Sequence, residues 1–171
     1  MKRLLLAAAV SLLTAGSALA QTVYLVRHAE KADASADPAL SEAGQARAAA
    51  LAEALRDAHP VLVLTSPLQR TRLTATPTAE YHSAPVEAVS LEGGGAAHIA
   101  AAVARVRALP ADATVLIVGH SNTVPAIARA LGYAGAADMP ECEYDRMTVL
   151  HLMGEAAHGM VSRYGAPTTC D

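Results

Sequence analysis

The sequence has no phenylalanine and no tryptophan, and only five tyrosines among 171 residues. A core therefore has to be built from Ala, Leu, Val and Ile. Basic residues are also scarce, with 13 Lys and Arg against 16 Asp and Glu. That balance excludes a polybasic binder of nucleic acid or of an anionic membrane surface. Any anion the chain holds needs a local positive site, since the global field has the wrong sign. Cysteine occurs twice, at Cys142 and Cys170.

Long apolar runs are missing after the first twenty residues. Lys2 and Arg3 precede an apolar stretch from Leu4 to Leu13, and Ala18-Leu19-Ala20 has the pattern of a cleavage site. The stretch is too short to span a membrane. Residues 1–20 are thus expected to be a cleaved signal peptide and 21–171 a single domain in the periplasm or outside the cell, with no stable membrane insertion. Losing Lys2 and Arg3 leaves 11 basic against 16 acidic residues, a formal charge of −5.

Three short runs, Thr22–Arg27, Val61–Thr65 and Thr114–Val118, are almost continuously apolar, as parallel strands buried on both faces are. Helical patterns alternate with them. Ser41–Asp57 begins at a good N-cap, a second helix begins near Pro67 and is expected to end at Pro77, and Ala96–Leu109 closes before Pro110. Asn122–Leu131 has Pro125 in its first turn and Gly132 just past its end. Val86–Ser90 is a possible short strand, while Tyr144–Met153 and Gly159–Tyr164 read as an antiparallel hairpin. The expected fold is α/β: a three-layer α/β/α sandwich with a mostly parallel central sheet and an antiparallel C-terminal edge hairpin.

The parallel strands end in Val26-Arg27-His28, Thr65-Ser66-Pro67-Leu68-Gln69-Arg70 and Val118-Gly119-His120-Ser121-Asn122. In such a sheet the carboxyl ends share one edge, where ligands bind. Arg27, His28, Arg70 and His120 should therefore converge, with helix N-termini adding backbone N–H groups. Fork-shaped arginines suit phosphate. One imidazole can attack phosphorus while the other donates hydrogen bonds to its oxygens. A carboxylic acid is needed to protonate an alkoxide leaving group, and Glu92 in "VSLEGGG" is the candidate proton donor. Arg72 competes with Arg70 for the second arginine position, and the latter is favoured because it follows Ser-Pro-Leu at the helix start. His98 reads as a surface residue. Glu30 and Lys31 either line the mouth or form a surface ion pair. A metal bound by His28 and His120 is disfavoured, because two arginines would repel a cation and no third ligand has suitable spacing. "GHSNT" is not a nucleophile elbow, which disfavours a serine hydrolase.

The segments "VRHAE", "TSPLQRTRLTA" and "VGHSNTVPAIARAL", with "LSEAGQARAAALA" between the first two, together resemble branch 1 of the histidine phosphatase (phosphoglycerate mutase-like) superfamily. The resemblance implies the family's Arg-His nucleophile motif at Arg27 and His28, its second pocket arginine at Arg70 and its second histidine at His120. Ala29 stands where the family has glycine. The expected activity is hydrolysis of phosphomonoesters through a phosphohistidine on His28. No cofactor is expected, and the expected partner is a small phosphorylated substrate or inorganic phosphate. The alternative is a non-catalytic phospho-ligand module that keeps the anion pocket. A mutase is disfavoured, because only about twenty residues separate Glu92 from the strand at Thr114, too few for a long cap.

The two cysteines are expected to pair. A hairpin turn between Met153 and Met160 centres near position 156.5, so facing residues have numbers summing to about 313, and the cysteines sum to 312. The bridge would pin the C-terminus to the sheet edge, away from the site, in an oxidising compartment.

Overall fold

The computed structural model describes residues 20–170; the leader expected over 1–20 lies, but for Ala20, outside the described residues. Six strands, β1 (Gln21–Arg27), β2 (Leu62–Thr65), β3 (Val86–Ala88), β4 (Thr114–Gly119), β5 (Arg146–Met153) and β6 (Ala156–Arg163), form one sheet in the order β3-β2-β4-β1-β5-β6. The first four pair in parallel, and β5 joins β1 and β6 antiparallel. This is the mixed α/β sheet with a C-terminal edge hairpin that the strand pattern predicts. β1 starts with Gln21, whose side-chain amide donates to the carbonyls of Leu109 and Pro110 at 2.8 and 2.9 Å.

Alternation along the strands sorts the core into two layers. Val23, Leu25, Leu64, Val115 and Ile117 face α3 (Gly94–Arg107) and α4 (Thr123–Ala130), where they meet Ala102, Val106, Val124, Ile127 and Ala128. Val26, Val63, Leu116 and Val118 face the other way, onto Leu51 of α1 (Glu42–Ala54) and Ala75 and Ala79 of α2 (Gln69–His82). Tyr164 is the aromatic buried in the second layer and Tyr133 packs against the first; elsewhere small helix residues let helices and sheet approach closely.

Two local expectations need correction. The second helix runs through Pro77 to His82. Proline removes one backbone donor, but Thr74, Ala75, Thr78 and Ala79 stay buried on either side of it, and that packing outweighs the lost bond. The hairpin turn is Gly154-Glu155, two residues before the expected centre. Gly154 has φ +63°, as the first central position of a tight two-residue hairpin turn demands. Met153 consequently faces Ala156, and facing numbers sum to 309 instead of 313. Cys142 and Cys170 are nevertheless joined as a disulfide with Cα atoms 5.4 Å apart. They pair through the segments flanking the hairpin, outside its ladder, so the strand-register argument reached the right pair by the wrong route. Among the described residues, no helix is long and apolar enough to cross a membrane.

Candidate active site

The registers Arg27↔Gly119 and Thr65↔Val118 bring the ends of β1, β2 and β4 level. A cleft of about 570 Å³ opens at that edge and is lined by Arg27, His28, Arg70 and His120, with Lys31, Ser121 and Glu141 among its other walls. Four residues spread over the sequence from 27 to 120 thus share one wall, as strand-end reasoning expects. The exposed Arg72 is not part of the lining, so Arg70 is the arginine that faces the cleft.

The tip of β1 is fixed from several sides. The His28 N–H donates to the Gly119 carbonyl at 2.9 Å, and the Ala29 N–H donates to Thr74 Oγ1 of α2 at 2.9 Å. Glu30 is clamped by Arg47, whose Nε and Nη2 reach its carboxylate at 2.9 and 2.7 Å. Gly44 permits this arrangement: a Cβ there would lie 2.3 Å from the Glu30 carbonyl oxygen. The glycine and arginine of "LSEAGQAR" therefore serve to press α1 against the loop after His28. Glu30 is an internal ion-pair partner, while Lys31 lines the cleft.

His28 Nδ1 lies 2.8 Å from its neighbour's carbonyl oxygen at Ala29. A carbonyl only accepts, so Nδ1 carries the proton and Nε2 of the neutral ring keeps its lone pair. Burial lowers the His28 pKa to about 4, with Arg27, Arg70 and Lys31 pushing the same way against the Ala29 hydrogen bond. His120 is lowered to about 3 by burial, then by His28 and Arg70. Its Nε2 is 3.0 Å from Ser66 Oγ, which is itself 3.0 Å from Thr71 Oγ1. The two imidazoles meet edge to face with centroids 5.4 Å apart. Both are neutral at neutral pH, and the surrounding positive charge comes from the arginines.

Among the described residues, Arg27 Nε and Arg70 Nε are buried without a hydrogen-bond partner. Two guanidinium N–H groups in one cleft are thus free to donate to an anion. Arg70 is steadied from the loop before α1, with Nη1 3.3 Å from the Ala36 carbonyl and 3.9 Å from Asp37 Oδ1. Among the described residues, no group of three or more His, Cys, Asp or Glu is placed to hold a metal ion.

Glu92 stands exposed in the turn before α3, between cleft-lining Leu91 and Gly94, but its own side chain is not part of the lining. His98, expected at the surface, is buried, with Nδ1 3.1 Å from the Ser90 carbonyl, because the loop folds back over α3. The sequence reading missed Glu141. Its carboxylate accepts from Arg27 Nη2 at 2.6 Å and from the Ser121 hydroxyl. The Ser121 hydrogen bond, helped by the Arg27 charge, holds its pKa below the usual carboxylate range despite opposing burial. Nothing in "MPECEYD" signals this, since the segment reaches the cleft only by folding across the end of β1. The expectation that the disulfide lies away from the site fails for the same reason: Cys142 is the residue next to Glu141.

Residues 23–90 match the model of the histidine phosphatase superfamily (branch 1). A protein assigned as the phosphohistidine phosphatase SixA of Nakamurella multipartitia is 30% identical with a TM-score of 0.61, over 86% of this chain and 96% of its own. The chain belongs to the histidine phosphatase superfamily, branch 1. A second histidine phosphatase-fold neighbour, assigned as SixA of Agrobacterium tumefaciens, is 25% identical with a TM-score of 0.60, over 85% of this chain and 97% of its own. The mycobacterial glucosyl-3-phosphoglycerate phosphatase in complex with inorganic phosphate shares the fold, at 19% identity and a TM-score of 0.60, over 85% of this chain and 97% of its own. No curated protein matches the sequence.

Proposed function

We propose that the chain is a secreted or periplasmic phosphatase that hydrolyses phosphomonoesters or phosphoramidates through a phosphohistidine on His28. The observation that carries this reading is the Nδ1–Ala29 hydrogen bond, which supports an Nε2 lone pair directed into a cleft lined by two arginines and a second histidine. In the first step Nε2 attacks phosphorus and the bond to the leaving group breaks. Arg27, Arg70 and His120 neutralise charge on the equatorial oxygens. In the second step water attacks phosphorus, the P–N bond breaks, and inorganic phosphate leaves. Glu92, at the rim, is the proposed donor of the proton that an alkoxide needs. The names of the two SixA-type neighbours support N-linked phosphate as one substrate class, and a protonated imidazole leaves with little help from an acid. The pattern of residues 1–20 and the disulfide support export. Turnover of p-nitrophenyl phosphate, an alkyl phosphate and phosphohistidine by the purified chain tests the reading. No phosphate release from any of the three contradicts it.

A further inference from the structure

We propose that Tyr144 is a positioning residue for Arg27, acting from a disulfide-braced strap that aims this arginine at the bound phosphoryl group. The proposal rests on the reading of the cleft as a phosphate site. Arg27 is 2% exposed, and most of its contacts come from one short segment. Nη1 faces the carbonyl oxygens of Pro140, Glu141 and Glu143. Nη2 faces the Glu141 carboxylate and, at 3.5 Å, the Tyr144 hydroxyl. The Tyr144 ring lies under the guanidinium with Cζ 4.1 Å from its centroid, and the same ring is 6.2 Å from that of His28. Strap carbonyls thus consume the Nη1 end. The edge formed by Nε and Nη2 remains, with Nε unpaired and Nη2 held by a carboxylate whose side chain is 80% exposed. An incoming phosphoryl group can displace that exposed carboxylate at small cost. It cannot displace three main-chain carbonyls and a ring.

The strap is itself held rigidly. Cys142 is bridged to Cys170, and the Tyr144 N–H donates to Thr168 Oγ1 at 3.4 Å. Thr168 in turn donates to Asp145 at 2.6 Å. Glu143, 6% exposed, pairs with Arg146 and Arg163 at 2.6 Å each. The C-terminal segment and the hairpin therefore reach Arg27 through the strap's carbonyls and one aromatic face. The Arg27 guanidinium is buried and the Tyr144 ring half-buried, and a cation held over an aromatic face in such a place is stabilised enough to bias where a flexible arginine points.

Isothermal titration of inorganic phosphate into the intact protein, with KM and kcat for p-nitrophenyl phosphate, tests this. Tyr144→Leu, which fills the space without a π face, is expected to raise the phosphate Kd and KM by about 3- to 30-fold and KM more than kcat. Tyr144→Phe keeps the ring and is expected to stay within about twofold of wild type. The double variant Cys142→Ser/Cys170→Ser is expected to weaken phosphate binding in the same direction at a temperature where it is folded. Unchanged phosphate binding in Tyr144→Leu overturns the proposal, as does a Tyr144→Phe variant as weak as Tyr144→Leu. Failure of the wild type to bind phosphate overturns the phosphate-site reading and this inference with it.

Discussion

The His28 and His120 rings lie 5.4 Å apart, centroid to centroid, each held below its ordinary proton affinity by burial and by the same pair of arginines. Two imidazolium ions at this spacing beside two guanidinium groups would repel strongly, so the free site keeps both rings neutral. Its readiness for attack follows, because only the neutral ring has a lone pair.

The pH dependence is set by these shifts. With the His28 pKa at about 4, kcat/KM should stay level from neutrality down to about pH 5 and fall as pH drops through 4. Stability follows the same histidines. The unfolded chain takes up their protons near pH 6.5 and the folded chain does not, so the contribution is complete above 6.5 and is lost as pH falls towards about 4 for His28 and about 3 for His120. A pH–rate profile together with denaturant midpoints at several pH values checks both.

Among the described residues Arg70 has one unpaired buried N–H and only two long loop contacts, to the Ala36 carbonyl and Asp37, so its main unmet demand is an anion. Arg70→Ala should lower kcat/KM by about 10- to 100-fold, the loss expected when a charge-assisted hydrogen bond is removed. Arg72→Ala, two residues along the same helix, should leave kcat/KM nearly unchanged. Steady-state kinetics on p-nitrophenyl phosphate compares the two.

The acid role of Glu92 predicts a dependence on the leaving group. Glu92→Gln should slow alkyl phosphates by about 10²- to 10⁴-fold and p-nitrophenyl phosphate much less. Equal effects on both substrates would assign Glu92 to the loop and not to proton transfer.

The Cys142–Cys170 bridge closes a loop of 28 residues. By the chain-entropy argument it contributes about 3.6 kcal/mol, and removing it should lower the melting temperature by roughly 7–14 °C. Calorimetry on the wild type and on the double serine variant measures this.

Much of this molecule is legible in the sequence. Arg27, His28, Arg70 and His120 each sit within a few residues of the end of a strongly apolar strand, and parallel pairing alone brings such ends together. The two-layer core is likewise written in strand alternation and alanine-rich helices. Contacts that depend on tertiary return are harder to read. Glu141 looks like any polar connector residue, and Tyr144 reads as the first residue of a strand that in fact begins at Arg146; both reach Arg27 because β5 pairs antiparallel with β1 and starts beside its end. The passage of α2 through Pro77 was hidden for a similar reason, since local propensity argued one way and burial of Thr74, Ala75, Thr78 and Ala79 the other.

The central claim is that His28 carries the phosphoryl group between substrate and water. Brief mixing of the wild type with a ³²P-labelled monoester, followed by an alkaline quench, should leave label on the protein that is stable to base, released by acid, and located by mass spectrometry on the peptide containing Arg27-His28-Ala29. His28→Ala should show neither label nor turnover. Turnover at the wild-type rate by His28→Ala, or label found on another residue, would contradict the account.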